Sequence, residues 1–134
     1  MKKVFTVGVF DLLHKGHVLL FKRAKALGDY LIVAVQDSET ILKYKPDAEV
    51  VNSTDDRCLM VDSIKYVDEV VVYKDVDTIV PMVDFDVFVT GGDQTHAGFH
   101  RAVKWCEDNG KEVTTLSRTE NVSSSEIKEH IKQH

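Results

Sequence analysis

Two histidines three positions apart, His14 and His17, stand with Asp11 inside the stretch GVFDLLHKGH, residues 8–17, which Gly8 and Gly16 frame. The apolar run Val4-Phe5-Thr6-Val7 precedes this stretch and Val18-Leu19-Leu20-Phe21 follows it, so three ionisable groups fall where a strand turns into a helix. Residues three apart share a face on a first helical turn. Free N–H groups and the dipole of a helix start attract anions, and imidazoles beside an anion are favoured in the protonated, donor form. Gly8 would let the backbone approach a phosphate, and Gly16 would allow close packing where the helix begins. Together these features describe a phosphate cradle with two added donors. Asp11, His14 and His17 would also suffice for zinc, since catalytic zinc takes three protein ligands. The glycine framing and the strand-to-helix position favour phosphate. A blander reading is that the histidines merely cap or pack.

Such a cradle needs a frame, and the chain alternates in a way that supplies one. Lys3 to Val7 reads as a strand, and His17 to Leu27 as a helix with Leu20, Phe21, Ala24 and Leu27 on one face and Gly28 as its C-cap. DYLIVAVQ (29–36) is the near-continuous apolar run of a strand buried on both faces. Residues 37–53 read as a loop, with Lys43, Lys45 and Pro46 inside it. Ser53 or Thr54 caps a helix running to about Tyr66. Strands are expected at 69–73, 86–91 and 112–116. A short helix lies around Thr78 to Val83, and a longer one runs from Phe99 to Asn109 and ends at Gly110. Ser123 with Glu126 makes a capping box that starts a last helix. Strands alternating with helices over one domain, 1–134, imply an α/β fold: a five-stranded, mostly parallel, Rossmann-like sheet covered on both faces. In such sheets ligands bind at the carboxyl ends of strands near a topological switch point.

Composition narrows the partners. The chain has 134 residues, is 43% hydrophobic, has two prolines and carries a formal net charge of −5. That balance argues against duplex nucleic acid, whose nonspecific affinity comes from phosphate neutralisation, and leaves small anions open. Cys58 and Cys106 form no C-x-x-C pattern and read as reduced thiols. Met1-Lys2-Lys3 leads straight into a strand-like run without the apolar region of a signal peptide. No stretch approaches the ~20 apolar residues of a membrane span. The expectation is a soluble, cytoplasmic protein.

GVFDLLHKGH closely resembles the G-x-F-D-x-x-H-x-G-H signature of the cytidylyltransferase family. RTENVSSSEIK (118–128) is similar to that family's second signature, R-T-E-G-[IV]-S-T-[ST]-x-I, and SIKYVDEVV (63–71) resembles the segment before its third strand. The resemblance covers essentially the whole chain in the same order. Length and opening are most like the bacterial members that act on glycerol 3-phosphate. Val9 stands where the family often has Thr, Asn121 replaces Gly, and Ser124 replaces Thr. The stretch GDQTHAGFHRAVKWCEDNGKEV after Gly91 departs from the glycerol phosphate type.

The resemblance implies transfer of CMP from CTP to a small phosphorylated alcohol, with Mg²⁺ on the triphosphate, pyrophosphate as product and a homodimer as the assembly. Its chemistry asks little of the protein. A phosphate monoester with a second pKa near about 6 is already largely deprotonated at neutral pH. No general base or covalent nucleophile is needed; two anions must be held in line and their charge stabilised. The implied catalytic set is His14, His17, Lys43 and Arg118. The nucleotide site would comprise Gly8, Val9, Phe10, Asp11, Gly16, Gly91, Asp93, Arg118, Thr119, Val122, Ser123 and Ser124, with Asp11 also a candidate to orient a histidine or the first turn. Asp37, Lys43, Lys45 and Arg57 would meet the acceptor, although Arg57 could instead pair with Asp55 or Asp56. No resident metal is expected. His96 and His100 read as loop and helix surface or as acceptor recognition, and Trp105 as packing. The alternatives are an adenylyltransferase of the same fold using ATP, a noncatalytic nucleotide-binding module, and a zinc-dependent hydrolase. VSSSEIK suits the adenylyl types too, but H-K-G-H in place of T-x-G-H, with the later RTE, favours CTP.

Overall fold

The computed structural model describes residues 1–91 and 96–116. Its sheet has five strands: β1 (Lys3–Gly8), β2 (Tyr30–Gln36), β3 (Glu69–Tyr73), β4 (Val87–Gly91) and β5 (Glu112–Leu116). The strand order is β3-β2-β1-β4-β5, and every neighbouring pair is parallel. β1 lies at the centre, with Val4 opposite Leu31 on one side and Val87 on the other. The three inner strands, β2, β1 and β4, are buried on both faces, which is why they read as apolar runs rather than alternating ones, whereas the edge strands β3 and β5 are only partly buried.

Successive residues still choose opposite faces. Val4, Leu31, Val33, Val35, Val87 and Val89 pack with Phe21 and Ala24 of α1 (Lys15–Lys25) and Val61 of α3 (Thr54–Asp62). Phe5, Val7, Ile32, Ala34 and Phe88 pack with Val76 of α4 (Val76–Ile79) and with Phe99, Ala102 and Cys106 of α5 (Ala97–Asp108). Phe5 stacks on Phe85 at 5.4 Å between ring centroids, with Phe88 5.9 Å away. Each fully buried phenylalanine is worth about 1.5–3 kcal/mol of transfer free energy. Buried Thr6 in β1 avoids an unmet hydroxyl by donating to the Val89 carbonyl at 3.0 Å.

Several expected boundaries move for identifiable reasons. α1 begins at Lys15, two residues earlier than periodicity suggested, because His14 supplies a side-chain cap. It ends at Lys25 with Ala26 as C-cap, so Gly28 is not the cap. Gly28 answers a packing need: a Cβ there would lie 2.6 Å from the Lys2 carbonyl oxygen. Residues 37–53 are not all loop, since Asp37 caps a short helix, α2 (Ser38–Tyr44), that buries Thr40 and Ile41. α3 stops at Asp62 instead of reaching Tyr66. The expected 78–83 helix is α4 followed by a 3-10 turn at Val80–Met82. α5 ends near Gly110, whose φ of +71° suits glycine. The expected helix start at Ser123 lies outside the described residues. Among the described residues, no helix is long and apolar enough to cross a membrane.

The order β3-β2-β1-β4-β5 reverses direction between β1 and β4. The crevice beyond Gly8 and Gly91, where these two strands end, is therefore the switch point at which ligands are expected.

Candidate active site

The chain leaves β1 through a strained turn. Phe10 takes φ +52°, the left-handed region, which costs a non-glycine residue roughly 1–2 kcal/mol. Its ring is buried and offsets that cost: it meets Phe21 edge-on at 5.2 Å and His17 at 5.5 Å between centroids. The same ring explains Gly8, because a Cβ at that position would lie 2.6 Å from Phe10 Cζ.

The histidines that follow cap α1 reciprocally. His14 is the extended N-cap residue, and its Nδ1 accepts from the Gly16 N–H at 3.0 Å. His17 Nδ1 accepts from the His14 N–H at 3.4 Å. The rings stack with centroids 4.0 Å apart and planes 26° from parallel. With both Nδ1 atoms acting as acceptors, the proton of each neutral ring resides on Nε2. Each imidazole thus caps with one nitrogen and carries its proton on the other, and the Nε2 of His14 is buried. This refines the sequence expectation of free helix N–H groups, because the Gly16 and His14 N–H groups are already taken by the imidazoles. Burial, and next the neighbouring His14, depress the His17 pKa from 6.5 to about 4. Without an anion, His17 is therefore a neutral Nε2–H donor at neutral pH rather than a cation.

Behind this turn lies a buried polar cluster. Asp11 is 2% exposed, and its two carboxylate oxygens accept from the Val51 and Asn52 N–H groups, each at 2.8 Å. The Asn52 side-chain amide donates to the Asp11 carbonyl. Arg57 is 0% exposed and reaches the same place from α3, where Nη1 donates to the carbonyls of Val9 at 2.9 Å and Gln36 at 2.7 Å. The sequence expectation put Arg57 on the acceptor phosphate, or in an ion pair with Asp55 or Asp56. The structure instead turns its guanidinium inward, onto backbone carbonyls and the hydroxyls of Ser38 and Thr54. Asn52 and Ser38 are members that sequence reading did not single out, since both fell in the expected 37–53 loop, and Thr54 was read only as an alternative cap of the following helix.

The other expected residues are spread more widely. Val9, half-buried, offers its carbonyl to Arg57, and Gly91 closes β4 at the switch point. Asp37 caps α2, accepting from the Thr40 N–H at 2.7 Å. Desolvation pushes its carboxyl up, but the bonds from Thr40, with Lys74 and Arg57 nearby, outweigh it and hold the pKa below the ordinary value. Lys43 is exposed in the last turn of α2 and lines a cavity of about 290 Å³ with Glu39, Thr40, Lys74 and Asp75. Lys45 is the exposed C-cap of α2. His96 is the N-cap of α5, accepting from the Gly98 N–H at 3.1 Å, and His100 is exposed one turn on. Trp105 packs near Phe85 at 6.4 Å between centroids. Asp93, Arg118, Thr119, Val122, Ser123 and Ser124 lie outside the described residues.

The donor set does not suit zinc. Both carboxylate oxygens of Asp11 face backbone N–H groups, and both Nδ1 atoms serve caps. Among the described residues, no group of three or more His, Cys, Asp or Glu is placed to hold a metal ion. The arrangement is two stacked imidazoles at a helix start beside the switch point, each with its Nδ1 in a cap and its Nε2 left as the proton-bearing atom.

Comparison with known proteins points the same way. A family profile described as cytidylyltransferase-like matches residues 5–130. The chain is 42% identical to glycerol-3-phosphate cytidylyltransferase of Bacillus subtilis (strain 168), over 98% of each chain. It is 37% identical to the bifunctional protein HldE of Helicobacter pylori (strain P12), over 98% of this chain and 28% of that one. The crystal structure of the lipopolysaccharide core biosynthesis protein from Thermoplasma volcanium GSS1 superposes with a TM-score of 0.71 and 27% identity, covering 89% of this chain and 97% of that one.

Proposed function

Because the chain belongs to the cytidylyltransferase-like family and is a nucleotidyltransferase, we propose that it transfers CMP from CTP to glycerol 3-phosphate and releases pyrophosphate. The observation that carries this reading is the pair of stacked imidazoles at the switch point, whose Nδ1 atoms both serve as cap acceptors and so leave the proton of each neutral ring on Nε2. The choice of substrates rests on the near full-length similarity to the Bacillus subtilis enzyme.

The step is a phosphoryl-centred displacement. An oxygen of the acceptor phosphate forms a bond to the α-phosphorus of CTP while the bond to the bridging oxygen of the β-phosphate breaks. The acceptor phosphate is largely deprotonated at neutral pH, so no base is needed to free its attacking oxygen. Charge grows on the α-phosphate oxygens and on the departing pyrophosphate, and His14 and His17 donate to them through Nε2. Their tautomers are already set by the caps, so little reorganisation is needed as charge develops. Arg118, Thr119, Ser123 and Ser124 would add a second anchor for the triphosphate, and Lys43 and Lys45 would approach from the segment after β2. Mg²⁺ would arrive with the triphosphate, ligated by phosphate oxygens.

Pyrophosphate release measured for CTP, ATP, GTP and UTP against glycerol 3-phosphate and other phosphorylated alcohols tests the reading. The expected result is fastest turnover with CTP and glycerol 3-phosphate, dependent on a divalent cation. Equal rates with ATP, or full activity in excess chelator, would contradict it.

A further inference from the structure

We propose that Arg57 is a positioning residue for the transfer step: it fixes the turn that carries His14 and His17 and does not bind the acceptor phosphate. The proposal rests on the transferase reading above. A guanidinium has five N–H donors and no acceptor. In this chain Nε donates to the Asn52 carbonyl at 3.2 Å, and Nη1 to the carbonyls of Val9 at 2.9 Å and Gln36 at 2.7 Å. Nη2 donates to the hydroxyls of Ser38 at 2.8 Å and Thr54 at 3.4 Å. Every donor has a protein partner, and the residue is 0% exposed. No N–H remains for a phosphate unless one of these bonds is given up.

The partners lie on three separate pieces of the site. Val9 belongs to the turn after β1, Gln36 and Ser38 to the end of β2 and the start of α2, and Asn52 and Thr54 to the entry of α3. Asp11 closes the circuit by accepting from the N–H groups of Val51 and Asn52. The chain of influence to the chemistry is short. Arg57 holds the Val9 carbonyl, the next residue is Phe10 in its left-handed conformation, and the Phe10 ring meets the edge of His17. A buried cation is costly unless it is paired and fully hydrogen-bonded. Buried Asp11, with Asp37 nearby, supplies the opposing charge. Five directed bonds to three segments are what a planar fork can make; an ammonium has three donors and no plane.

The test is Arg57→Lys, with Asn52→Ala as a milder variant that keeps the arginine and removes one amide bond to Asp11. For Arg57→Lys the expected result is a roughly 10- to 100-fold lower kcat, since small displacements at a site have effects of this order. The KM values for CTP and for glycerol 3-phosphate should stay within about threefold. In the ligand-free variant, the His17 imidazole titration followed by NMR should move up from about 4 toward 6.5 as its burial loosens. Asn52→Ala should shift both readouts the same way by less, and it carries the test if Arg57→Lys does not fold. A raised acceptor KM at unchanged kcat would overturn the proposal in favour of direct acceptor binding. An unchanged kcat and His17 titration with only a lowered Tm would overturn it in favour of plain stability. If the wild type turns over none of the tested substrates, the transferase reading fails, while the His17 titration still decides whether Arg57 sets this turn.

Discussion

Two helices of this fold start in the same way beside the same crevice. α1 follows β1 and α5 follows β4, the two strands that flank the switch point. Each helix is capped by a histidine whose Nδ1 accepts from a glycine N–H two residues on, Gly16 at 3.0 Å and Gly98 at 3.1 Å. The difference lies in what surrounds the cap. His14 is answered by His17, which accepts from the His14 N–H and stacks on its ring. The turn before it is held from behind by Asp11 and Arg57. His96 is exposed, the position matching His17 is Phe99, and the Phe99 ring meets His96 edge-on at 4.6 Å. A histidine cap is thus a structural device that either helix can use. A second imidazole and a clamped turn convert one of the two into a pair of fixed donors.

Removing the second imidazole should break the comparison most visibly. His17→Ala is expected to lower kcat by roughly 10²–10³, the usual effect of losing one donor to transition-state charge, while CTP binding changes little. A raised KM at near-normal turnover, in steady-state pyrophosphate release, would show that His17 only binds. The glycines give a contrast of stability. At Gly8 a new methyl would press on the buried Phe10 ring, 2.6 Å away, so Gly8→Ala should cost about 1–3 kcal/mol in urea unfolding. At Gly98 the nearest atom is His96 Cε1 at 3.0 Å, on an exposed side chain that can turn aside. Gly98→Ala should therefore change stability by no more than about 1 kcal/mol, in either direction, because helix propensity favours alanine.

Acidification sharpens the contrast at His17. Its folded pKa, about 4, lies below the ordinary 6.5, so between those values the unfolded chain binds the extra proton and the folded one does not. Stability should fall as pH drops from about 6.5 toward 4 and then level off for this group. Tm measured across that range should decline less steeply for His17→Gln. The smallest expected effect on turnover is at His96: His96→Ala should leave kcat within about threefold, while it lowers stability by roughly 0.5–2 kcal/mol, the worth of an N-cap.

Much of this was legible in the sequence, and the exceptions share a cause. β3 and β5 fall at the residues expected of them, and β1, β2 and β4 were legible because strands buried on both faces of a parallel sheet need continuous apolar residues. Residue type and spacing alone marked His14, His17 and the framing glycines. α2 escaped notice because it is short and buries only Thr40 and Ile41, too little for a helical apolar face to show. The inward turn of Arg57 left no trace because its acceptors are mostly carbonyls, at Val9, Gln36 and Asn52, which any residue supplies. The capping role of the imidazoles was foreseen only as an alternative to phosphate binding; the geometry lets one ring serve both ends.

That dual use is the central claim, and the ¹⁵N resonances of the two imidazoles test it most directly, recorded at pH 7 before and after addition of CTP. The account predicts both rings neutral and protonated at Nε2 in the free protein, with Nδ1 unprotonated, and Nε2–H signals that move when CTP binds. Protons on Nδ1, a His17 cation in the free protein, or two rings indifferent to bound CTP would contradict it.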